Sequence, residues 1–221
     1  MLGMLSLCGC GKARDETIRI GRLPHALRPV PGRGDSPAFL MGAREISVAE
    51  YAAYLSENPP AKEHPQIVCG VKVCKPRRGQ EKLPVACVTK TDAENFCFWM
   101  SQKCGRTVRL PTAAEWEHAA RGGINGAEFA WGWGSPASNA CFNAEGPVAC
   151  GQYDSNPYGL HDMAGNVAEW CSDAKGDQLL ALGGSWAERS EELLRVDRRT
   201  LFPPDYCDAD VGFRILVEFG L

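Results

Sequence analysis

Turn-forming residues recur every few positions through the second half of this 221-residue chain. Beyond Gly123 the apolar residues no longer follow a helical period, and breaks fall at Asn125-Gly, Gly134-Ser-Pro, Glu145-Gly-Pro, Ser155-Asn-Pro and Ala164-Gly-Asn. The chain also contains 24 glycines, 15 prolines, six tryptophans and eight phenylalanines. This pattern predicts a loop-rich fold, pinned by large aromatic side chains, in which short strands are joined by long loops.

Three short helices are predicted by capping boxes, in which a Ser or Thr side chain and a later Glu satisfy the free amides of the first helical turn. The boxes are Ser47/Glu50, Thr91/Glu94 and Thr112/Glu115. Strands are predicted at 108–110, 179–184, 193–199 and 212–219, where short apolar runs lie between turn signals.

One domain, running from about residue 38 to residue 221, accounts for these elements. Residues 11–37 are rich in Arg, Pro and Gly with little apolar periodicity, which predicts a tether, a linker or a meandering edge. Residues 1–10 are apolar and end in Leu7-Cys8-Gly9-Cys10, which is similar to the end of a bacterial lipoprotein signal. This similarity makes Cys10 the candidate lipidation site and predicts a periplasmic or extracellular lipoprotein of the cell envelope. The alternative is an ordinary apolar terminus.

The charge balance excludes one class of partner. Lys and Arg together number 24 against 27 Asp and Glu, giving a formal net charge of -3. Binding to nucleic acid depends on neutralising phosphates with an excess of cations, so nucleic acid is not expected as a partner. No apolar run approaches the roughly 18 residues of a membrane span, so membrane contact is expected only through the N-terminal lipid.

The cysteines predict local disulfides rather than a zinc site. Nine remain beyond the first ten residues, with no C-x-x-C pair and no histidine at metal-ligand spacing. Cys69/Cys74 and Cys141/Cys150 each flank a short turn, so either pair could close a hairpin in an oxidising compartment. The alternative is that several are small buried hydrophobes in a reducing cytoplasm.

Charged residues near the large aromatics are predicted to hold the scaffold together. Five arginines can fork onto carboxylates or loop carbonyls, with Glu115, Glu117 and Glu169 as candidate partners. The alternative is that they clamp a substrate carboxylate. The arginines are Arg109, Arg121, Arg195, Arg199 and Arg214.

Four segments in a fixed order resemble the formylglycine-generating enzyme, or sulfatase-modifying factor, family. The first covers residues 109–117 with 119–123 and begins Arg109-Leu-Pro-Thr, and the second covers 156–170 and begins Asn156-Pro-Tyr-Gly. The third is Gly183-Gly-Ser-Trp186 and the fourth is Val211-Gly-Phe-Arg214. The resemblance covers about residues 38–217. It implies an α+β, C-type-lectin-like fold with short helices, short antiparallel strands and many long loops.

The resemblance also implies a calcium site. Calcium takes oxygen ligands from carboxylates and main-chain carbonyls. The matching positions would use the side chains of Asp162 and Glu169 and the carbonyls of Gly165 and Val167. The alternative is that both carboxylates bind loop amides or an arginine.

Enzymes of the family use a pair of cysteines that bind copper, placed between the Gly-Gly-Ser and Gly-Phe-Arg segments. Residues 187–200 contain no cysteine, and Glu191 and Val196 fall about where the pair would be. Cu(I) requires soft thiolate ligands, so copper and formylglycine generation are disfavoured. Cys207 could at best make a weak copper site with Cys171, if the fold brings the two together.

Two functions are therefore expected from the sequence. The first is a non-catalytic domain that recognises a protein or glycan ligand through its C-terminal loop region. An aromatic and cationic surface is expected there, typical of recognition hot spots, formed by Trp186, Arg189, Arg198, Phe202, Asp205 and Tyr206. The second is an oxidoreductase of the same family with an altered active site.

Overall fold

The computed structural model describes residues 14–219. Its helices are α1 (Val48–Glu57), α2 (Lys90–Cys104) and α3 (Ala113–Ala120), with 3-10 turns at Pro136–Ser138 and Glu191–Leu194. Its strands are β1 (Glu16–Ile20), β2 (Leu23–Val30), β3 (Phe39–Gly42), β4 (Ile67–Cys69), β5 (Cys74–Pro76), β6 (Val108–Arg109), β7 (Ala168–Lys175), β8 (Gln178–Leu182), β9 (Arg199–Phe202), β10 (Val211–Gly212) and β11 (Leu216–Glu218).

Two sheets carry the architecture. The first has the order β1-β2-β3-β11-β6 and is antiparallel throughout. The second has the order β10-β7-β8-β9, with β10 parallel to β7 and the other pairs antiparallel. Strands β4 and β5 form a separate hairpin. Because β3 lies beside β11, the beginning and end of the domain are held together in one sheet.

The large aromatic side chains lie in the core, as the sequence predicts. Trp116, Trp170, Phe96 and Phe213 are buried, and Phe96 packs edge-on against Phe213 with ring centroids 5.3 Å apart. From Arg121 to Val167 the only regular element within the described residues is the 3-10 turn at Pro136–Ser138. The predicted long loops are therefore found where the turn signals cluster.

Two of the three predicted capping boxes are confirmed. Ser47 caps α1 with Glu50, and Thr112 caps α3 with Glu115. The third prediction is wrong, because the N-cap of α2 lies two residues before Thr91. Thr89 is the cap, and its box partner is Asp92, which supplies a carboxylate at the same spacing. Glu94 instead pairs with Lys90 one turn away.

The N-terminal segment is more ordered than a tether. Strands β1 and β2 form a hairpin, and β2 also pairs with β3, so Glu16–Val30 lies at the edge of the first sheet. Ile20, Leu27 and Val30 are buried. Of the alternatives for 11–37, the meandering edge describes Glu16–Val30. The lipoprotein signal over 1–10, with Cys10, lies outside the described residues.

The predicted strands at 108–110 and 179–184 are found as β6 and β8. The strand predicted at 193–199 is wrong, because Glu191–Leu194 forms a 3-10 turn and β9 begins only at Arg199. The strand predicted at 212–219 is split into β10 and β11, since Arg214 turns inward between them. None of the helices within residues 14–219 combines the length and the apolar composition of a membrane span.

Candidate functional site

A buried ion pair lies at the centre of the molecule. The Arg214 side chain comes from the link between β10 and β11, and Glu169 comes from β7. Arg214 donates to both Glu169 oxygens at 2.6 Å, and the Trp116 indole N–H donates to Oε2, also at 2.6 Å. Burial lowers the pKa of Arg214, but the Glu169 carboxylate outweighs it and raises that pKa overall. Both Glu169 oxygens thus have N–H donors, and the Arg214 guanidinium is held by an acceptor group in the core.

Two further carboxylates flank this pair. Asp162 is buried, and its Oδ2 accepts from the Gly151 amide while its Oδ1 has no partner. Glu45 is also buried; its Oε1 accepts from Asn166 at 2.8 Å and its Oε2 has no partner. Burial, followed by the nearby Asp162 carboxylate, raises the pKa of Glu45 well above its ordinary value. Glu45 therefore keeps its proton to a higher pH than an exposed glutamate does.

Tight backbone turns position these groups. Asp162 and Asn166 both have positive φ, at 55° and 59°, a conformation that Asp and Asn adopt more readily than most residues. Gly165 has a φ of 74°, and a Cβ there would lie 2.3 Å from the Cys141 carbonyl oxygen. Only glycine therefore allows the chain to pass Cys141 and present the Asp162 and Asn166 side chains to the interior.

The predicted calcium ligands fit that ion only in part. Asp162 could supply an oxygen, because its buried Oδ1 has no partner. The Glu169 side chain does not fit, because both of its oxygens accept N–H donors from Arg214 and Trp116. Within residues 14–219, no group of three or more His, Cys, Asp or Glu side chains is placed to hold a metal ion. For Glu169 the structure shows the alternative to calcium, which is an ion pair with an arginine. Gly165 and Val167 remain candidate carbonyl ligands.

The other predicted arginine pairs are also present. Arg109 donates to both oxygens of Glu115 at 2.7 and 2.8 Å, and Arg121 and Arg199 share Glu117. Arg195 pairs with three carboxylates at the surface, those of Glu128, Glu192 and Asp197. These arginines act as scaffold links between loops, as expected.

The predicted ligand-binding residues divide into two groups. Arg189, Arg198 and Asp205 are exposed. Trp186, Phe202 and Tyr206 are only half-exposed and anchor the loop. The Phe202 and Tyr206 rings lie 4.2 Å apart, and Phe202 packs edge-on against the buried Trp170 at 5.4 Å. The Trp186 indole N–H donates to the Ala209 carbonyl at 3.0 Å, joining the two ends of the segment. We call residues 186–210 the C-terminal surface.

Glu188 and Asp210 are two acidic residues of the C-terminal surface that the sequence did not predict as part of the site. Burial and then Asp210 raise the pKa of Glu188, and Arg198 partly opposes this effect. Burial also raises the pKa of Asp210, whose Oδ1 accepts from the Tyr206 hydroxyl at 3.1 Å. The pKa of Tyr206 rises to about 12 through burial and Asp210. The four-residue spacing of Tyr206 and Asp210 was the one local signal that could have paired them.

The cysteines near the C-terminal surface differ from the prediction. Cys171 is buried in the core, whereas Cys207 is exposed. The thiol that lies near Cys207 is Cys87, whose backbone N–H donates to the Asp208 carbonyl at 2.8 Å. Burial, with a smaller contribution from Cys207, raises the pKa of Cys87 to about 11. The suggested Cys171/Cys207 site is wrong, and residues 187–200 offer no thiolate for Cu(I), so the chain there does not fit copper.

One of the two predicted disulfides is confirmed. Cys69 and Cys74 are bonded across the β4–β5 hairpin. Cys141 and Cys150 are both free, so that pairing is wrong. The segment between them does not close as a hairpin, because it is bound elsewhere: Asn143 and Ala144 donate to the carbonyls of Glu188 and Trp186.

Comparison with known proteins gives a family match along most of the chain. The model described as "Sulfatase-modifying factor enzyme 1-like domain" matches residues 31–219. The chain is 34% identical to the inactive C-alpha-formylglycine-generating enzyme 2 of Bos taurus, over 61% of this chain and 51% of that protein. It is 30% identical to the formylglycine-generating enzyme of Streptomyces coelicolor, over 62% of this chain and 53% of that protein.

A third relative is of another kind. The serine/threonine-protein kinase pkn1 of Chlamydia pneumoniae is 33% identical over 62% of this chain, which spans only 24% of that protein. The chain therefore covers between about a quarter and about half of the length of these curated relatives.

Solved structures share the fold. Treponema denticola variable protein 1 superposes with a TM-score of 0.77 at 23% identity, covering 94% of this chain and all of that one. PvdO from Pseudomonas aeruginosa gives 0.71 at 22% identity, covering 95% of this chain and all of that one. These matches confirm the α+β, C-type-lectin-like fold of formylglycine-generating enzymes. The chain belongs to the sulfatase-modifying factor enzyme 1-like domain family.

Proposed function

We propose that this protein is a non-catalytic sulfatase-modifying-factor-like domain that recognises a protein or glycan ligand through its C-terminal surface. One observation carries the proposal: residues 187–200 hold no thiol, yet they present the exposed Arg189 and Arg198 within a C-terminal surface whose aromatic rings are anchored. The similarity to a relative named inactive supports it. Nucleic acid is not proposed as a partner.

The packing of the C-terminal surface suits recognition. Phe202, Tyr206 and Trp186 are immobilised by ring stacking and by the bond to Ala209, so a ligand would order few side chains on binding. Arg189 and Arg198 remain exposed, although Arg189 also donates to Asn143 at 2.6 Å. Arginine beside aromatic rings is the composition of binding hot spots.

The proposal is tested by selection against the immobilised protein, with a glycan array and a displayed peptide library as probes. Ligands recovered in this way should lose at least tenfold in affinity with Arg189→Ala/Arg198→Ala. They should keep it with Lys175→Ala, a matched exposed cation at the tip between β7 and β8. Ligands that ignore the arginine variant, or the absence of any ligand, would contradict this function.

The alternative, an oxidoreductase with an altered active site, rests on the proximity of Cys87 to Cys207. A functional thiol pair would bind Cu(I) and consume oxygen with a thiol substrate. Copper titration and oxygen-electrode measurements on the wild type and on Cys87→Ser and Cys207→Ser decide this point. Stoichiometric copper binding that both variants abolish would favour the enzyme.

We also propose that the protein is exported and lipidated at Cys10, which would make it a protein of the bacterial cell envelope. Metabolic labelling with palmitate tests them in the natural host. Label that disappears with Cys10→Ser is the expected result, and an unlabelled cytoplasmic protein would contradict it.

A further inference from the structure

The β4–β5 hairpin projects apolar side chains into solvent at a site separate from the C-terminal surface. Val71 is 100% exposed, and Val68 and Val73 are each 51% exposed. These three valines sit around a tight turn in which the Gly70 N–H donates to the Val73 carbonyl at 2.9 Å. Valine side chains are often buried, so three that are exposed together at one tip form the kind of apolar patch that marks an interaction site.

The same hairpin concentrates positive charge. Residues 68–78 contain four basic residues and no acidic residue, although the whole chain has a net charge of -3. Lys72 lies between the exposed valines, and Lys75, Arg77 and Arg78 follow, all exposed. In the part of the chain that the structure describes, the lysines that form ion pairs are Lys90 and Lys103. The hairpin lysines are therefore uncompensated.

The hairpin is held rigid before any partner arrives. The Cys69–Cys74 disulfide closes the turn. Cys74 is buried against α1, where its backbone N–H donates to the Ser56 hydroxyl oxygen at 2.9 Å. The tip therefore loses little conformational entropy when it binds a partner.

We propose that the β4–β5 hairpin is a membrane-surface anchor, which inserts Val71 and its neighbouring valines at the headgroup boundary of an anionic lipid bilayer. Charge complementarity selects this occupant: lysines beside the valines would meet lipid phosphates while the valines leave water.

The test is cosedimentation of the purified 221-residue chain with vesicles of phosphatidylcholine alone or containing 30% phosphatidylglycerol. We expect binding to favour the anionic vesicles and to weaken with salt. Each cation near such a surface contributes about fivefold to partitioning, so Lys72→Gln/Lys75→Gln should lower binding by about 25-fold. Val71→Ser should lower it by roughly tenfold.

Controls separate the hairpin from other exposed groups. Lys175→Gln removes a cation and Trp133→Ser removes an exposed apolar side chain elsewhere, and both should bind as the wild type does. The apolar residues 1–10 are common to every variant, so any contribution they make to vesicle binding is the same in each comparison with the wild type. All these positions are exposed, and unchanged thermal midpoints will confirm that each variant is folded.

Four results would overturn the proposal. One is equal binding to neutral and anionic vesicles, and another is equal binding by the hairpin variants and the wild type. The third is tighter binding to immobilised polyglutamate than to anionic vesicles, which would assign the hairpin to an acidic protein. Concentration-dependent dimerisation that Val71→Ser abolishes would assign it to a second copy of the chain.

Discussion

Removing the charge of Glu169 should destabilise the fold severely. Glu169→Gln keeps the size of the side chain and an acceptor for Trp116, but it leaves the Arg214 guanidinium buried without a counter-charge. Breaking one partner of a buried pair costs about 3–5 kcal/mol. For a domain of this size each kcal/mol lowers the thermal midpoint by roughly 2–4 °C, so a fall of about 6–20 °C is expected.

The assay is urea unfolding at 15 °C, followed by tryptophan fluorescence, for Glu169→Gln, Arg214→Met and the double variant. Arg214→Met also leaves the Gly42 and His161 carbonyls without their donor, so it should cost a similar amount. The double variant should cost less than the sum by at least about 2 kcal/mol, because neither charge is then left alone. Glu94→Gln, which breaks the helical pair with Lys90, is the control and should cost about 0.5 kcal/mol or less.

Two results would refute this reasoning. A loss below about 1 kcal/mol for Glu169→Gln would mean that the ion pair is not buried as described. A loss that disappears when EGTA is present would mean that Glu169 holds calcium rather than Arg214.

Three further outcomes follow from the same structure. Because the pKa of Glu45 is raised, the folded state holds a proton that the unfolded state releases. The stability that this group contributes is complete below its ordinary pKa and is lost as the pH rises through its folded pKa. Glu45→Gln should therefore flatten the decline of the urea midpoint above pH 5. Replacing Cys69 and Cys74 by Ser should cost about 2 kcal/mol by the loop-entropy relation, measured by urea unfolding, and an unchanged midpoint would show that the bond does not restrain the unfolded chain. A calcium site that lacks the Glu169 side chain would be built on the unpartnered Asp162 Oδ1 and the Gly165 and Val167 carbonyls; at such a site millimolar calcium should raise the thermal midpoint by mass action, and Asp162→Ala should abolish the increase, whereas calorimetry without any calcium heat would contradict the site that the family resemblance implies.

Local chemistry made part of this fold predictable. The capping boxes at Ser47 and Thr112 are spaced for one helical turn, so their geometry depends on neighbouring residues alone. The same holds for Cys69 and Cys74, which face each other across a short hairpin. The box predicted at Thr91 is wrong because Thr89 and Asp92 form an equivalent box two residues earlier.

Long-range contacts determined the rest. The β1–β2 hairpin is stabilised by pairing with β3, which no periodicity within its Arg- and Pro-rich sequence reveals. Glu45 gave no local signal, because its partner Asn166 lies 121 residues away in sequence. Cys141 and Cys150 looked like a local pair, but contacts with Glu188 and Trp186 decide the path of the segment between them.

If this member of the family retains the scaffold without the oxidase chemistry, as we propose, mass spectrometry of a peptide substrate should show it. The protein is incubated with copper, oxygen, a reductant and a peptide carrying the Cys-x-Pro-x-Arg motif. No formylglycine is expected, because residues 187–200 contain no thiolate to hold Cu(I). Formylglycine that appears with the wild type and vanishes with Cys207→Ser would contradict the account.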